Sequence, residues 1–297
     1  MRVDSSYSQR VHDLAVGFEP RDILAGGQPP VPVRLDIEMP DGVPRRVTNG
    51  YSHFTRPSDL NPKISRHISG LYKLIYLQRR QLPDNAIVRI YDDYQYYVPR
   101  RFRFPIPARE DISLEQRPRA SRRQSPLMFP SNAYPVAERT MGLRGRVLRD
   151  GEPMPWAWID AFYLIQIGGT EANPQFMRRG KIGRAISDRH GEFLLILEPL
   201  PQGGVGVPEL ENPAWVNVVI NGPVPAPLEP ADNEDTLWAV PVEQLPLGGL
   251  PDPASGPNYA PPGYATDIGA SANRNIPFPP GKLLTGIDVP DFQFSLP

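Results

Sequence analysis

The sequence contains no cysteine, which removes disulfides, thiolate nucleophiles and cysteine-ligated metals together. Stability must then come from burial or from assembly with other chains. Uninterrupted helix-forming stretches are equally scarce. The 297 residues include 39 prolines and 25 glycines, and proline breaks a helix by removing a donor and clashing with the preceding turn. Mainly β structure with much extended chain is expected. No run approaches the roughly 18 apolar residues that a spanning helix needs. Met1 to Arg21 is mixed polar and charged, without an apolar stretch behind a basic start. The expectation is a soluble chain with no export signal and no membrane partner. A further shortage is local. Between Arg189 and Arg274 there is neither lysine nor arginine, but Glu192, Glu198, Glu209, Glu211, Glu229, Asp232, Glu234, Asp235 and Glu243 fall there. Cations crowd instead at Arg100, Arg101, Arg103, Arg109, Arg117, Arg119, Arg122 and Arg123. The formal net charge of -1 therefore hides a basic and an acidic end.

A chain of this length can bury two ordinary cores. Residues 1–107 read as a first β-sandwich. Val31 to Glu38 alternates apolar and polar, Pro40-Asp41-Gly42 supplies a turn, and Leu71 to Leu77 and Ala86 to Tyr91 are further strands. Tyr97 to Pro107 alternates again, and its flanking prolines confine that strand to an edge or to its own terminus. Residues 108–139, rich in arginine and proline, read as a linker or docking strap. Residues 140–247 form a second sandwich that includes Ala214 to Ile220 and Thr236 to Val242. Residues 248–297 carry only short apolar islands, at Leu283-Leu284 and around Phe292 and Phe294. They cannot form a core of their own, so an extended arm that orders on a partner is expected.

The most informative stretch is Gly142 to Leu197. Leu143 to Leu148 and Trp156 to Ile165 are apolar, β-branched or aromatic, and they flank Asp150-Gly151, whose glycine readily takes positive φ. That spacing predicts a hairpin. A long loop is expected after Ile165. Ser187-Asp188-Arg189-His190-Gly191 then predicts a second polar hairpin turn, closing on Phe193 to Leu197, apolar enough to be buried on both faces.

Candidate chemistry is sparse. The histidines His12, His53, His67 and His190 are far apart and lack metal-ligand spacing. His190 reads as an exposed turn residue. His53 and His67 have Ser52, Ser58, Asp59 and Ser65 nearby but no nucleophile elbow. Gln202-Gly203-Gly204-Val205-Gly206 precedes Pro208 where a phosphate cradle needs a helix N-terminus. Asp92-Asp93 and Glu234-Asp235 read as solvated turns. The arginine strap is interleaved with Glu110, Asp111 and Glu115, which favours docking of carboxylate-bearing protein surfaces over nucleic acid. Among Tyr91, Tyr94, Tyr96 and Tyr97, half face a core by period 2, and the rest, beside Arg100, suit a contact hot spot or a sugar platform. No catalytic, cofactor-binding or metal-ligating residues are assigned. The candidate interface residues are Tyr94, Tyr96, Arg100, Arg101, Arg117, Arg119, Arg122, Arg123, Phe292 and Phe294.

The succession Gly145, Val147, Pro155, Ala157, Ile159, Ser187, Asp188, Gly191 and Phe193 resembles the carboxypeptidase regulatory-like domain, with Ser187 where threonine is usual. The resemblance implies an immunoglobulin-like or transthyretin-like scaffold without catalytic residues. The closing phrase of the first unit, Ile87 to Pro107, resembles proteins encoded with phage-tail-like extracellular contractile injection systems, with Tyr97-Val98 where Phe-Leu is more usual. Together these imply an all-β chain of two immunoglobulin-like antiparallel sandwiches, a basic linker and a proline-rich C-terminal arm. The implied role is a non-enzymatic structural or adaptor component at the cap or baseplate end of a contractile tail-like particle. Its partners would be other subunits of that assembly, or copies of itself in a ring. It would be cytoplasmic during assembly and then part of the particle. The rival reading is a surface lectin or adhesin using the tyrosine cluster. A third, an enzyme with a loop-borne Ser/His/Asp site, finds nothing in the sequence to raise it.

Overall fold

The computed structural model describes residues 14–38, 44–45, 64–66, 71–75, 85–106, 123–170, 173–198, 214–222, 240–244, 271–279, 282–285 and 293–296. Among them the chain is all β, and no helix is long and apolar enough to cross a membrane. The strands are β1 (Leu14–Phe18), β2 (Arg21–Asp22), β3 (Val33–Glu38), β4 (Pro44–Arg45), β5 (Ile64–Arg66), β6 (Tyr72–Ile75), β7 (Asn85–Asp92), β8 (Arg100–Pro105), β9 (Arg123–Gln124) and β10 (Leu127–Met128). There follow β11 (Gly142–Arg149), β12 (Glu152–Pro153), β13 (Trp158–Thr170), β14 (Asn173–Ile186), β15 (Glu192–Ile196), β16 (Ala214–Asn221), β17 (Val242–Gln244), β18 (Ser271–Phe278), β19 (Leu283–Thr285) and β20 (Gln293–Leu296).

The period-2 alternation of the first unit puts one face of each strand into a shared core. Sheet β17-β8-β7-β3-β4 contributes Leu35, Ile37, Val88, Ile90, Phe102 and Phe104, and sheet β5-β6-β1-β9 contributes Val16, Phe18, Tyr72 and Leu74. Phe18 meets Phe104 edge to face at 5.1 Å between ring centroids, an arrangement the ring quadrupoles favour. Each such ring or branched side chain contributes about 1.5–3 kcal/mol by leaving water. Pro105 ends β8, which is where a residue without an N–H is tolerated. β8 is not an edge, however, because β17 lies parallel against it.

In the second unit, sheet β12-β11-β15 supplies Leu143, Val147, Phe193 and Leu195, and sheet β14-β13-β16-β18 supplies Ile159, Ala161, Ile182, Val216, Val218, Ile220 and Phe278. Phe193, Leu194 and Leu195 are all fully buried, as their unbroken apolar run requires. Asp150 and Gly151 form the expected turn, both at positive φ, 54° and 83°, the hand that suits a two-residue hairpin. The hairpin itself is short. β11 returns only through β12, with Leu148 opposite Pro153, and Trp156 to Ile165 does not pair back onto it. At Trp156 φ is 61°, and the chain crosses there to the other sheet. Ser187 to Gly191 likewise is a corner between β14 and β15, which belong to different sheets, and not a hairpin turn. The long loop expected after Ile165 is instead the paired length of β13 and β14, continuous with irregular register to Thr170 opposite Asn173.

The C-terminal segment also departs from expectation. Its described strands do not await a partner. β18 pairs antiparallel with all of β16, and β19 and β20 pair parallel with successive halves of β11. Phe294 is buried in the second core beside Phe193, with centroids 6.0 Å apart. An apolar island too short to make a core can still complete one. Replacing Phe294 by alanine should therefore lower unfolding free energy by about 3–5 kcal/mol in urea titrations. A variant that melts like the parent would return the arm to a role outside this chain.

Candidate functional site

The tyrosine turn is built on a carboxylate. β7 ends at Asp92, whose Oδ1 accepts the N–H groups of Tyr94 (2.9 Å) and Tyr96 (3.1 Å) and whose Oδ2 accepts that of Tyr97 (2.9 Å). Burial nonetheless pushes the Asp92 carboxyl above its usual range. Gln95 at φ 57° lets the chain reverse, and Ser131 fastens it from the other side, its N–H donating to the Tyr96 carbonyl at 2.8 Å and its hydroxyl to that of Gln95. The turn does not divide its tyrosines by period 2, which would put Tyr94 and Tyr96 on one face, because these residues follow the end of β7. Tyr97 is buried, Tyr96 is partly buried against the first core, and Tyr94 stands 60% exposed.

An aromatic series runs inward from that exposed ring. Tyr94 lies 5.7 Å from Tyr96, Tyr96 6.4 Å from Tyr134, and Tyr134 5.5 Å from Tyr97, between centroids. It ends on Asp22, a fully buried carboxylate whose Oδ2 accepts both phenols, Tyr97 and Tyr134, at 2.7 Å each. Oδ1 accepts the N–H groups of Leu24 and Ala25. Burial first, and the adjacent carboxylate second, push the Tyr134 phenol up to about 12 and that of Tyr97 further still. Both tyrosines stay protonated donors at any physiological pH.

The arginines divide differently from the sequence expectation. Arg100 and Arg101, expected on a surface for a neighbouring chain, are buried. Arg100 Nε and Nη2 form a two-pronged pair with Glu243 Oε1 and Oε2 at 2.9 and 2.5 Å. Nη1 donates to the Leu127 carbonyl, and the guanidinium lies 4.3 Å from the Phe102 ring centre. Arg101 Nη1 donates to the Val240 carbonyl at 2.9 Å. Both charges are engaged by this chain's own β17 segment. The reason is desolvation: a charge in a β-sheet interior needs a local counter-charge, and Glu243 is it. Arg123, on β9, remains half exposed and pairs with Glu19. Arg117, Arg119, Arg122 and Phe292 lie outside the described residues, as do His12, His53 and His67. His190 is exposed, its Nε2 accepting from Arg189 Nε at 2.9 Å.

The Arg100 pair borders a third apolar cluster of Val98, Phe129, Trp156, Trp158, Ile186 and Val240. Its members come from both sandwiches. Trp158 projects from β13 away from the second core, meeting Phe129 at 5.5 Å and the Arg184 guanidinium at 4.7 Å. Arg184 in turn donates to Asp160 Oδ1 at 2.7 Å. Beside this cluster, Arg144 reaches the Tyr134 carbonyl, and Glu192 holds Arg146 at 2.7 Å and Asn132 at 3.0 Å. The chain itself crosses this junction repeatedly: β17 falls between β16 and β18 in sequence yet pairs in the first sheet.

The Ser187 corner is similarly tied. The Ala157 N–H donates to Ser187 Oγ at 2.8 Å, and that hydroxyl donates to the Met154 carbonyl at 2.9 Å. Asp188 Oδ1 accepts the N–H groups of His190 (2.7 Å) and Glu192 (3.1 Å). Gly191 has φ 73°, and a Cβ there would meet the Val147 carbonyl at 2.6 Å, so only glycine fits.

Sequence reasoning missed one exposed feature. The far ends of β13 and β14 form a two-stranded ribbon in which Gln166, Ile167, Gly169, Thr170, Asn173, Gln175 and Met177 through Gly180 are exposed. Ile167 is 61% exposed. The alternation of Gln166, Gly168, Thr170, Asn173 and Gln175 with apolar residues was the available signal, read instead as loop. No family model matches this chain, and no curated protein or solved structure matches it either.

Two predictions follow from these contacts. Glu243→Leu alone should cost about 3–5 kcal/mol by stranding a buried guanidinium, and combining it with Arg100→Met, itself also measured alone, should recover most of that loss. Urea unfolding of the cycle measures this, and purely additive losses would show that the two residues are not coupled. Burial raises the Asp188 carboxyl above its ordinary value, so its contribution to stability is full below about pH 3.9 and is lost as pH rises through the raised folded value. Asp188→Asn, which keeps an oxygen acceptor for the loop, should flatten that decline in melting temperature, whereas an unchanged pH slope would place the carboxylate in solvent.

Proposed function

We propose that this chain is a non-enzymatic structural or adaptor component of a contractile tail-like particle, at its cap or baseplate end. In this reading its two sandwiches are immunoglobulin-like, and the second is a carboxypeptidase regulatory-like domain. One observation carries the scaffold part of the reading. The conspicuous buried polar groups, Asp22, Asp92, Arg100, Ser187 and Glu243, and the half-buried Asp188, each hold this chain's own backbone or one another. Groups tied in that way rigidify a body and leave no free acid, base or nucleophile among them. The tail-like particle enters through the resemblance of Ile87 to Pro107 and of the Ser187-Asp188-x-x-Gly191 corner, whose geometry suits a portable sandwich scaffold.

The test is fractionation of native lysate, with mass spectrometry and electron microscopy of the high-mass pool. Co-sedimentation of the chain with tubular particles is expected. A second reading has its own observation: Tyr94, 60% exposed on a turn pinned by Asp92, is a preorganised aromatic platform suited to a sugar face. It takes over if the chain stays outside every particle and a glycan array gives a saturable signal that Tyr94→Ala abolishes.

A further inference from the structure

We infer that the outer face of sheet β14-β13-β16-β18, between Trp215 and Lys181, is a binding site for an acidic saccharide, a sugar chain that carries carboxylates. This face belongs to the second sandwich, whereas the Tyr94 turn belongs to the first.

Alternation along β13 turns Ile159 and Ala161 into the second core, and Trp158, Asp160 and Phe162 to the opposite face. Register then fixes their neighbours, because directly opposed residues of antiparallel strands share a face. Phe162 is opposite Lys181 on one side and Asn217 on the other, and Asn217 is opposite Asn275. One row across all four strands therefore reads cation, ring, amide, amide. Trp215, two residues before Asn217 on β16, joins this face and packs on Phe176 with centroids 5.1 Å apart. The outer face thus holds three rings, Phe162, Phe176 and Trp215, each only partly buried.

Two buried polar atoms of that row lack a hydrogen-bond partner. Asn217, 4% exposed, gives its Nδ2 to Asn275 Oδ1 at 2.7 Å, which leaves its own Oδ1 without a donor. Lys181 Nζ approaches Asp160 Oδ1 at 3.1 Å without a directed hydrogen bond, and Arg184 already holds that oxygen at 2.7 Å. Burial lowers the Lys181 pKa, Asp160 only partly restores it, and Arg184 lowers it again. Buried atoms of this kind are ordinarily satisfied. One needs a donor and the other an acceptor, and their strands stand two spacings apart, about 9–10 Å. A hydroxyl-bearing ring chain serves both ends, donating to Asn217 and accepting from Lys181. A bare carboxylate has nothing to donate.

Electrostatics select the acidic kind of saccharide. Arg178, opposite Leu164, is exposed on the same face, and its guanidinium lies 5.3 Å from the Phe162 ring centre. With Lys181 and Arg184 it makes three cations, against Asp160 as the one carboxylate on this face among the described residues. The surplus suits a sugar carboxylate, which a guanidinium binds in a charge-assisted pair. The rings suit the C–H faces of the sugar, and the amides its hydroxyls. Nucleic acid fits less well. A phosphate backbone is neutralised by several cations in succession, and of these three only Arg178 is exposed.

The test titrates the full chain, by calorimetry and by tryptophan fluorescence, with oligogalacturonate, oligoglucuronate and oligomannuronate. A neutral malto-oligosaccharide, poly-glutamate and a labelled single-stranded oligonucleotide are titrated beside them. Saturable binding of at least one uronate is expected, with a fluorescence change from Trp215 and about tenfold or greater preference over the other three probes. Arg178→Gln and Asn275→Ala, both at exposed positions, should each weaken binding about tenfold. Arg103→Gln, which removes an exposed arginine of the first sheet, should not. Parent-like melting of each variant verifies folding. Absence of binding across the three uronates overturns the inference, as does equal affinity for the neutral sugar, for poly-glutamate or for the oligonucleotide. An equal loss in Arg103→Gln overturns it as well. Co-sedimentation of the wild-type chain with particles decides the assembly reading separately.

Discussion

The Arg100–Glu243 pair is the constraint on which the arrangement of the whole chain depends. A guanidinium buried in a sheet interior is tolerable only with a carboxylate aligned to it and its remaining donors occupied. Glu243 supplies the carboxylate from 143 residues away, the Leu127 carbonyl takes the remaining nitrogen, and the rings of Phe102 and Phe129 flank the planar group. Meeting that requirement brings β17 onto β8, buries Val240 among Trp156, Trp158 and Phe129, and draws the segment between β16 and β18 back across the first sheet. The two cores are consequently fastened by a charge pair, an apolar cluster and the covalent path itself. A flexible tether between domains would offer none of these.

The same economy is visible in the loops. Asp92, Ser131, Ser187 and Asp188 are short polar side chains that satisfy backbone N–H or C=O groups where the chain leaves a sheet, and each would be costly to bury unpartnered. Tyr97 and Tyr134 do the equivalent for the Asp22 carboxylate. The surface thereby acquires a fixed shape at few points: the Tyr94 turn, the Ser187 corner and the ribbon. Rigidity at these points matters for recognition, because contacts on preformed elements lose less entropy on binding.

How much of this could be read from the residues differs by level. The sequence pattern placed β7 and β16 within one residue, β3 within two and β8 within three, and Asp150-Gly151 and Ser187 to Gly191 were turns as their chemistry demands. What alternation does not encode is which sheet a strand joins. The bend at Trp156 sends β13 across the sandwich although its composition equally suits a hairpin with β11. Arg100 and Arg101 looked like surface residues because their local neighbours are also arginines, and the carboxylate that internalises one of them is remote in sequence. Phe294 looked like part of an arm because its own segment is polar, and its core position follows only from β11 having a vacant edge. The ribbon was missed because Gly168-Gly169 and Pro174 read as loop residues.

The parallel pairing of Val147 with Phe294 has a consequence for the order in which the chain can acquire its structure. As the polypeptide is synthesised, β11 is complete long before its second neighbour exists, and β8 is complete while Glu243 is still unmade. The second core, which includes Ile276, Phe278 and Phe294, therefore cannot close as its own segment emerges, and Arg100 waits for its counter-ion through the synthesis of the 143 residues that separate them. Contacts this distant slow folding and expose sheet edges meanwhile. The second core must ripen last, after Phe294 has left the ribosome.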